Sequence, residues 1–262
     1  HGRDRRQRQM CIRDSLTPLN ISDALRRLLS GYSQCWVFTS ATLTVDNAFN
    51  HYLALMGLQR PRCLMLEQGF DYEKQALLHL PKLYSQPNDP AYVREVSQLS
   101  LELIMASGGG AFILCTSYRA LNAVAEFLSR EYQGEILLQG ERPRNELLEK
   151  FRTHGNSVLI GTSSFWEGVD VRGSALRLVI IDKLPFASPA DPVYAARLDA
   201  IREQGGSPFM DYQLPQAVIT LKQGVGRLIR DVNDRGVLVL CDPRLHSKGY
   251  GRVFLRSLPP MK

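Results

Sequence analysis

From Ala111 onward the chain alternates two textures: short apolar runs (Ala111–Cys115, Ile136–Leu138, Val158–Ile160, Leu178–Asp182, Val237–Cys241) and stretches of helical periodicity between them. A strand wetted on one face alternates apolar and polar residues, whereas a strand covered on both faces stays apolar. Unbroken runs joined by helices therefore predict an α/β fold, a doubly wound parallel sheet with helices on both sides. The periodicity predicts helices over Pro90–Ser107, from Tyr118 to about Tyr132, over Glu146–Phe151 with Pro143 near its first turn, and near Val193–Glu203. Gly108, Gly109 and Gly110 supply a stop signal for the first of these. Further upstream, residues 16–30 predict an amphipathic helix with Ser22 as its cap. Cys35–Thr39 predicts a buried strand, Asn47–Met56 a helix, and Cys63–Glu67 another short strand. Between Gly69 and Pro90, the prolines Pro81, Pro87 and Pro90 with Asn88 and Asp89 mark an irregular connection and a domain boundary.

A length of 262 residues suits one large α/β domain, or a domain and a half. Hydrophobic residues at 44% and charged residues at 22% are those of an ordinary globular chain. No stretch approaches the roughly 18 consecutive apolar residues of a membrane span, and no signal peptide is visible. The scattered cysteines Cys11, Cys35, Cys63, Cys115 and Cys241 lack any C-x-x-C pair, which points to reduced thiols and no metal site. The net charge of +6 is uneven: residues 1–15 hold five arginines against Asp4 and Asp14, which leaves +3 for the remainder. Those fifteen residues have no hydrophobic period and are expected to be a non-native or disordered basic tail. The mildly basic remainder permits nucleic-acid binding without demanding it.

The stretch with most chemistry is Gln223-Gly-Val-Gly-Arg-Leu-Ile-Arg230. On a helix, Gln223, Arg227 and Arg230 share one face, with Leu221, Val225, Leu228 and Val232 opposite. Gly224 and Gly226 flank the polar row, where glycine lets a ligand or backbone come close. An anion clamp is the sharper reading of this face, and a solvated basic face the plainer one. A second strand-end loop runs Gly161-Thr-Ser-Ser-Phe-Trp-Glu-Gly-Val-Asp-Val-Arg-Gly173. Its glycines and acids suit a nucleotide or a sugar-phosphate backbone, while Ser164 and Glu167 alone have the spacing of a capping box. Ser40-Ala-Thr-Leu43 suits a crevice lining, but taken alone it reads as a helix cap, with Thr44 preceding the helix over Asn47–Met56. Ile181-Asp-Lys-Leu-Pro-Phe186 reads as a turn carrying an exposed acid–base pair. Neither a G-x-x-x-x-G-K-[ST] phosphate loop nor a D-E-x-[HD] stretch occurs.

Taken in order, Ser40–Leu43, Ile113–Tyr118, Gly161–Gly173, Val179–Phe186 and Gln223–Arg230 resemble motifs III, IV, V, Va and VI of superfamily 2 helicases. Phe165-Trp-Glu-Gly-Val-Asp170 and Leu221–Arg230 are similar to the XPD/DinG branch and its YoaA group. The likeness covers roughly residues 16–245. It implies a RecA-like fold, ATP as substrate with Mg²⁺, 5′→3′ movement on single-stranded or forked DNA, and a 4Fe-4S cluster in the intact family member though not in this chain. The Mg²⁺ ligands would lie in an N-terminal part that this chain does not contain. Residues 16–80 would be the remnant of a first motor domain (motif III) and residues 81–262 a second. The missing first motor domain and repair or replication proteins would be partners, in a bacterial cytoplasm near the nucleoid and away from membranes. By position, Arg227 and Arg230 would be arginine fingers, and Gln223, Gly226, Glu167, Gly168 and Asp170 would hold nucleotide. Thr116, Ser117, Thr162 and Ser163 would contact DNA phosphates, and Ser40 and Thr42 would couple hydrolysis to movement. A stand-alone, non-catalytic RecA-like nucleic-acid-binding module is the competing reading. A metabolic α/β enzyme would need a glycine-rich strand-to-helix turn that is absent.

With half of such a site missing, purified residues 16–262 are expected to hydrolyse little or no ATP. Phosphate release with and without single-stranded DNA checks this, and robust DNA-stimulated turnover contradicts it.

Overall fold

A computed structural model describes residues 17–262 apart from 33, 67, 68, 163, 164, 166–170, 172 and 174. The basic tail and the sequence-predicted site residues Ser163, Glu167, Gly168 and Asp170 lie outside the described residues.

Six parallel strands form one sheet: β1 (Ala76–His79), β2 (Ala111–Cys115), β3 (Ile136–Leu138), β4 (Val158–Thr162), β5 (Leu178–Ile181) and β6 (Gly236–Leu240), in the order β1-β6-β5-β2-β4-β3. The doubly wound α/β reading holds, and the five strand runs from Ala111 onward fall within a residue or two of their expected bounds. The helices follow in chain order: α1 (Ser22–Ser30), α2 (Asn50–Met56), α3 (Tyr72–Gln75), α4 (Pro90–Ser107), α5 (Tyr118–Glu131), α6 (Arg144–His154), α7 (Pro192–Glu203), α8 (Leu214–Val225), α9 (Arg244–Ser247) and α10 (Gly251–Ser257). A π turn over Phe209–Gln213 leads into α8.

Every residue of β2, β4 and β5 is buried. Successive side chains in a strand point to opposite faces, and the core divides accordingly. Ala111, Ile113 and Cys115 pack with Tyr92, Val96 and Ile104 of α4 and Leu121, Val124 and Leu128 of α5. Phe112 and Leu114 pack on the other face with Leu147 and Phe151 of α6, Leu221 and Val225 of α8, and Phe254 of α10. Each fully buried side chain of this size contributes about 1.5–3 kcal/mol relative to an exposed one.

The upstream expectations fare differently. Cys35–Thr39 is not a strand: it pairs with none of the six, and Trp36, Val37 and Phe38 are exposed. Cys63–Leu66 is likewise no strand and exposed, and Glu67 lies outside the described residues. An apolar run becomes a strand only beside a partner that takes up its backbone groups, and neither segment has one among the described residues. Ser22 is the first residue of α1 and not its cap; its N–H donates to Asn20 Oδ1 at 2.8 Å. Thr44 caps no helix; Lys222 Nζ donates to its carbonyl at 2.9 Å and contacts its hydroxyl at 3.1 Å. Conversely β1, unforeseen in the sequence, joins the edge of the sheet, so the sheet begins before residue 80.

Gly109 carries the tightest turn into the sheet. Its φ is +82°, and a Cβ there would lie 1.9 Å from the Asn156 carbonyl oxygen. Gly155 has φ +66° with open space around it. Gly109→Ala should therefore lower stability by at least about 2 kcal/mol, and Gly155→Ala by about 1 kcal/mol from backbone strain alone. Urea midpoints of the two variants check the order.

Candidate functional site

The polar chemistry collects at the two edges of the sheet. On the carboxyl edge, Cys115 pairs with Thr162 in register, so Thr116, Ser117 and Thr162 sit side by side. The winding changes direction between β2 and β5, the place where open parallel sheets leave a crevice. Asp182 fills it. Its Oδ1 accepts the N–H of Thr116 at 2.9 Å and of Lys183 at 2.7 Å, and its Oδ2 accepts the Thr116 hydroxyl at 3.2 Å. The sequence reading of an exposed acid–base pair is thus corrected: Asp182 is 2% exposed. The Tyr92 hydroxyl seals the cluster from below, donating to the Asp182 carbonyl at 2.6 Å.

Ser117 caps α5, its hydroxyl accepting the Ala120 N–H at 3.2 Å. That places the helix N-terminus, with its first-turn N–H groups, on the same edge. Thr162 is held by Gln139, whose Oε1 accepts the Thr162 N–H at 2.6 Å and its hydroxyl at 3.0 Å. Gln139 Nε2 in turn donates to the Tyr118 hydroxyl at 3.1 Å, and the Tyr118 ring is exposed beside the hydroxyls. Gln139 escapes a reading by motif, and Tyr118 and Asp182 lie inside the quoted motifs without the contacts seen here, because those contacts come from strand register and not from sequence neighbours.

The amino edge carries the other set. The expected helix over Gln223–Arg230 ends at Val225, with Gly226 as its cap. Gly226 N–H still bonds Lys222 O at 2.9 Å, but Arg227 and Leu228 tighten to three-residue spacing, bonding Gly224 O and Val225 O. Beyond them the backbone leaves the helix: the N–H groups of Arg230 and Asp231 both donate to Asp234 Oδ2 at 2.8 Å. A buried carboxylate outcompetes helical carbonyls for those donors, since charged acceptors make the stronger bonds. Leu221, Val225 and Leu228 are buried as expected; Val232 is exposed, a correction that follows from the broken helix. Gln223, Gly226, Arg227 and Arg230 remain together and partly accessible on the last turn and its continuation.

Ser40 and Thr42 form a local turn, the Thr42 N–H donating to Ser40 Oγ at 3.2 Å. Thr44, two residues on, is tied to Lys222, so this segment lies against the end of α8 beside Gln223. The structure thus gathers the sequence-predicted residues into two groups. Thr116, Ser117 and Thr162 share the carboxyl edge, while Gln223, Gly226, Arg227 and Arg230 precede β6 on the amino edge with the Ser40–Thr44 segment alongside. Five strand residues separate the two, about 17 Å.

Burial pushes the Asp182 carboxyl up to about 7 from 3.8, against the lowering effect of the Lys183 and Thr116 N–H groups. An acid with a raised value keeps its proton in the folded state where the unfolded chain has lost it, so stability falls as pH rises through that window. The urea midpoint should therefore decline from pH 4 toward about pH 7 and then level, and Asp182→Asn should flatten that decline. Midpoints at several pH values for both proteins check this.

The sequence profile described as "Helicase C-terminal domain" matches residues 100–261. The chain is 48% identical over 246 residues to the ATP-dependent DNA helicase YoaA of Escherichia coli, covering 94% of this chain and 39% of that protein. It is 34% identical over 233 residues to the 3′-5′ exonuclease DinG of Bacillus subtilis, covering 85% of this chain and 25% of that protein. The chain thus spans about two fifths of the first relative and a quarter of the second. A solved XPD helicase superposes with a TM-score of 0.57 at 22% identity, covering 81% of this chain and 40% of that one, which places the fold among RecA-like helicase domains. Profile, relatives and fold agree: the chain belongs to the helicase C-terminal domain family.

Proposed function

We propose that this chain is the C-terminal motor half of an ATP-dependent 5′→3′ DNA helicase that moves along single-stranded DNA in repair or replication. The observation that carries the reading is the placement of two polar sets on opposite edges of one rigid sheet. A motor must hold its fuel and its track at once, and the sheet offers a separate edge for each.

On the amino edge, Arg227 and Arg230 would meet the phosphates of ATP bound between this domain and a first motor domain, with Gln223 and Gly226 beside them. Guanidinium groups aimed at a transferring phosphoryl neutralise charge that grows in the transition state. Glu167, Gly168 and Asp170 would complete the nucleotide side. On the carboxyl edge, the N-terminus of α5 with Ser117, and Thr116, Thr162 and Ser163, would line the DNA backbone. Contacts of that kind fix the strand without reading its sequence, so binding would be sequence-tolerant and salt-sensitive. Ser40 and Thr42 would carry the signal between motor domains, given their seat against α8.

In this reading residues upstream of Ala76 would belong with the first motor domain, since the strand Ala76–His79 pairs with β6 of the sheet assigned to the second. Among the described residues no group of acidic, histidine or cysteine side chains comes together as a metal site. Cys115 and Cys241 are buried in the sheet while Cys35 and Cys63 are exposed elsewhere, so these cysteines do not form one ligand set for an iron–sulfur cluster. The part of this chain in the chemistry is binding and charge neutralisation. No described helix is long and apolar enough to cross a membrane.

The test is ATP hydrolysis by the intact gene product with and without single-stranded DNA, beside Arg230→Ala. DNA-stimulated hydrolysis should be present and should fall by about 10³-fold or more in the variant. Strong activity surviving the substitution removes Arg230 from the phosphoryl transfer, and no DNA stimulation in the parent favours a non-catalytic binding module.

A further inference from the structure

Between the Ser40–Leu43 run and α2 the chain makes a tight turn. Val45 and Ala48 exchange N–H and carbonyl bonds at 3.0 Å each, with Asp46 at φ +50° and Asn47 at φ +59° between them. Both central residues of such a turn lie in the left-handed region, which aspartate and asparagine enter more readily than other non-glycine residues. Polar contacts fasten this turn to two helices far along the sequence. At the end of α10, the Asp46 N–H donates to Ser257 Oγ at 2.8 Å and its carboxylate pairs with Arg256 at 2.7 Å. From the last turn of α8, Lys222 Nζ donates to the Thr44 carbonyl at 2.9 Å and reaches its hydroxyl at 3.1 Å.

Lys222 is half-buried and stands next to Gln223. Burial holds its ammonium below the ordinary lysine value, and no carboxylate pairs with it among the described residues. A lysine usually keeps its charged head in water, because a desolvated charge costs free energy unless hydrogen bonds replace its hydration. Among the described residues both of its hydrogen bonds go to Thr44, two positions after Thr42. The Asp46–Arg256 pair is more exposed, with Arg256 at 62%, so water and salt screen it.

We propose that Lys222 is a positioning residue: with the Asp46 turn seated on α10, it holds the Ser40–Thr42 hydroxyls in register with the Gln223–Arg230 end of α8. The inference rests on the motor reading above, in which the first group travels with one motor domain and the second meets the nucleotide. Hydrogen-bonded contacts between such groups carry coupling between sites. A second bond joins the same two parts elsewhere: His51 Nε2 on α2 lies 3.0 Å from Gln216 Nε2, six residues before Lys222 on α8. It serves as the control for packing alone.

The experiment uses the intact gene product as wild type, Lys222→Met, Lys222→Arg, Asp46→Asn and His51→Ala. The quantities read are kcat and KM for ATP without DNA and at saturating oligothymidine, and thermal unfolding. Lys222→Met keeps the length of the side chain and removes its donors. Its DNA stimulation of kcat should fall by about 10-fold or more, the ordinary size of a coupling between sites. KM for ATP should stay within about 2-fold, since the residue is not assigned to the nucleotide. Lys222→Arg restores a charged donor and should recover most of the stimulation. Asp46→Asn keeps the turn and loses only the exposed pair, so its loss should be about 2-fold or less. His51→Ala should keep the stimulation ratio even where its melting temperature drops. Retained stimulation in Lys222→Met overturns the proposal. So does a rise in KM with kcat kept, which places Lys222 on the nucleotide instead. Equal losses in Lys222→Met, Lys222→Arg and His51→Ala, in step with their melting temperatures, mark a merely structural role and overturn it too. Should Lys222→Met not fold, Thr44→Val, which removes the hydroxyl partner, is read in the same way. Absence of DNA stimulation in the wild type instead overturns the motor reading, and the positioning role with it.

Discussion

The central constraint on this molecule is that β2, β4 and β5 are covered on both faces. A parallel strand in that position has no wetted side, so every residue must be apolar or hydrogen-bonded, and the helices above and below must supply matching surfaces. Phe112 and Leu114 need α6, α8 and α10; Ile113 and Cys115 need α4 and α5. Such a sheet leaves polar chemistry only two places, the ends of its strands. Both sets of candidate residues are found there, and the separation of the two edges is a consequence of strand length and nothing more specialised.

Strand ends are where the backbone becomes irregular, and this chain fixes them with buried carboxylates. Asp182 holds Thr116 and Lys183 beyond β2 and β5. Asp242 accepts the Leu184 N–H at 2.8 Å and pairs with Arg244 at 2.6 Å beyond β6. Asp234 holds Gly173, Arg230 and Asp231 ahead of β6. A hydrogen bond to a charged group contributes about 1.5–3 kcal/mol, and the desolvation cost of an unpaired carboxylate makes each of these contacts expensive to leave unmade. Each of these carboxylates thus ties loop backbone to loop backbone at a strand end. In the proposed reading, where guanidinium groups meet a phosphate, such anchoring would count beside the charge itself, since misplacement by an ångström already costs catalysis.

The helix over Gln223–Arg230 is the instructive failure of local reasoning. Its apolar spacing was legible, and Leu221, Val225 and Leu228 do face the core. The same residues satisfy a tightened turn as well as a helix, because positions three apart also share a face. What ended the helix was a carboxylate four residues beyond Arg230, a competitor that periodicity does not see. The exposed runs at Cys35–Thr39 and Cys63–Leu66 fail for a related reason: apolar composition states what a segment could pair with, not whether a partner strand stands beside it.

By itself the sequence determined the fold class, the bounds of the strands from Ala111 onward and the helices between them, and which arginines and hydroxyls are candidates for the chemistry. Those follow from short-range facts, namely apolar runs, periodicity, glycine stops and motif order. Only the tertiary structure decided that β1 completes the sheet, that Asp182 is buried and not exposed, that Gln139 joins Thr162 to Tyr118, and that Asp234 ties the arginine loop to Gly173. Each of these is a contact between residues distant in sequence, set by strand register and by which polar group reaches a buried donor first. Periodicity measures the surroundings of a residue along the chain, and these choices are made across it.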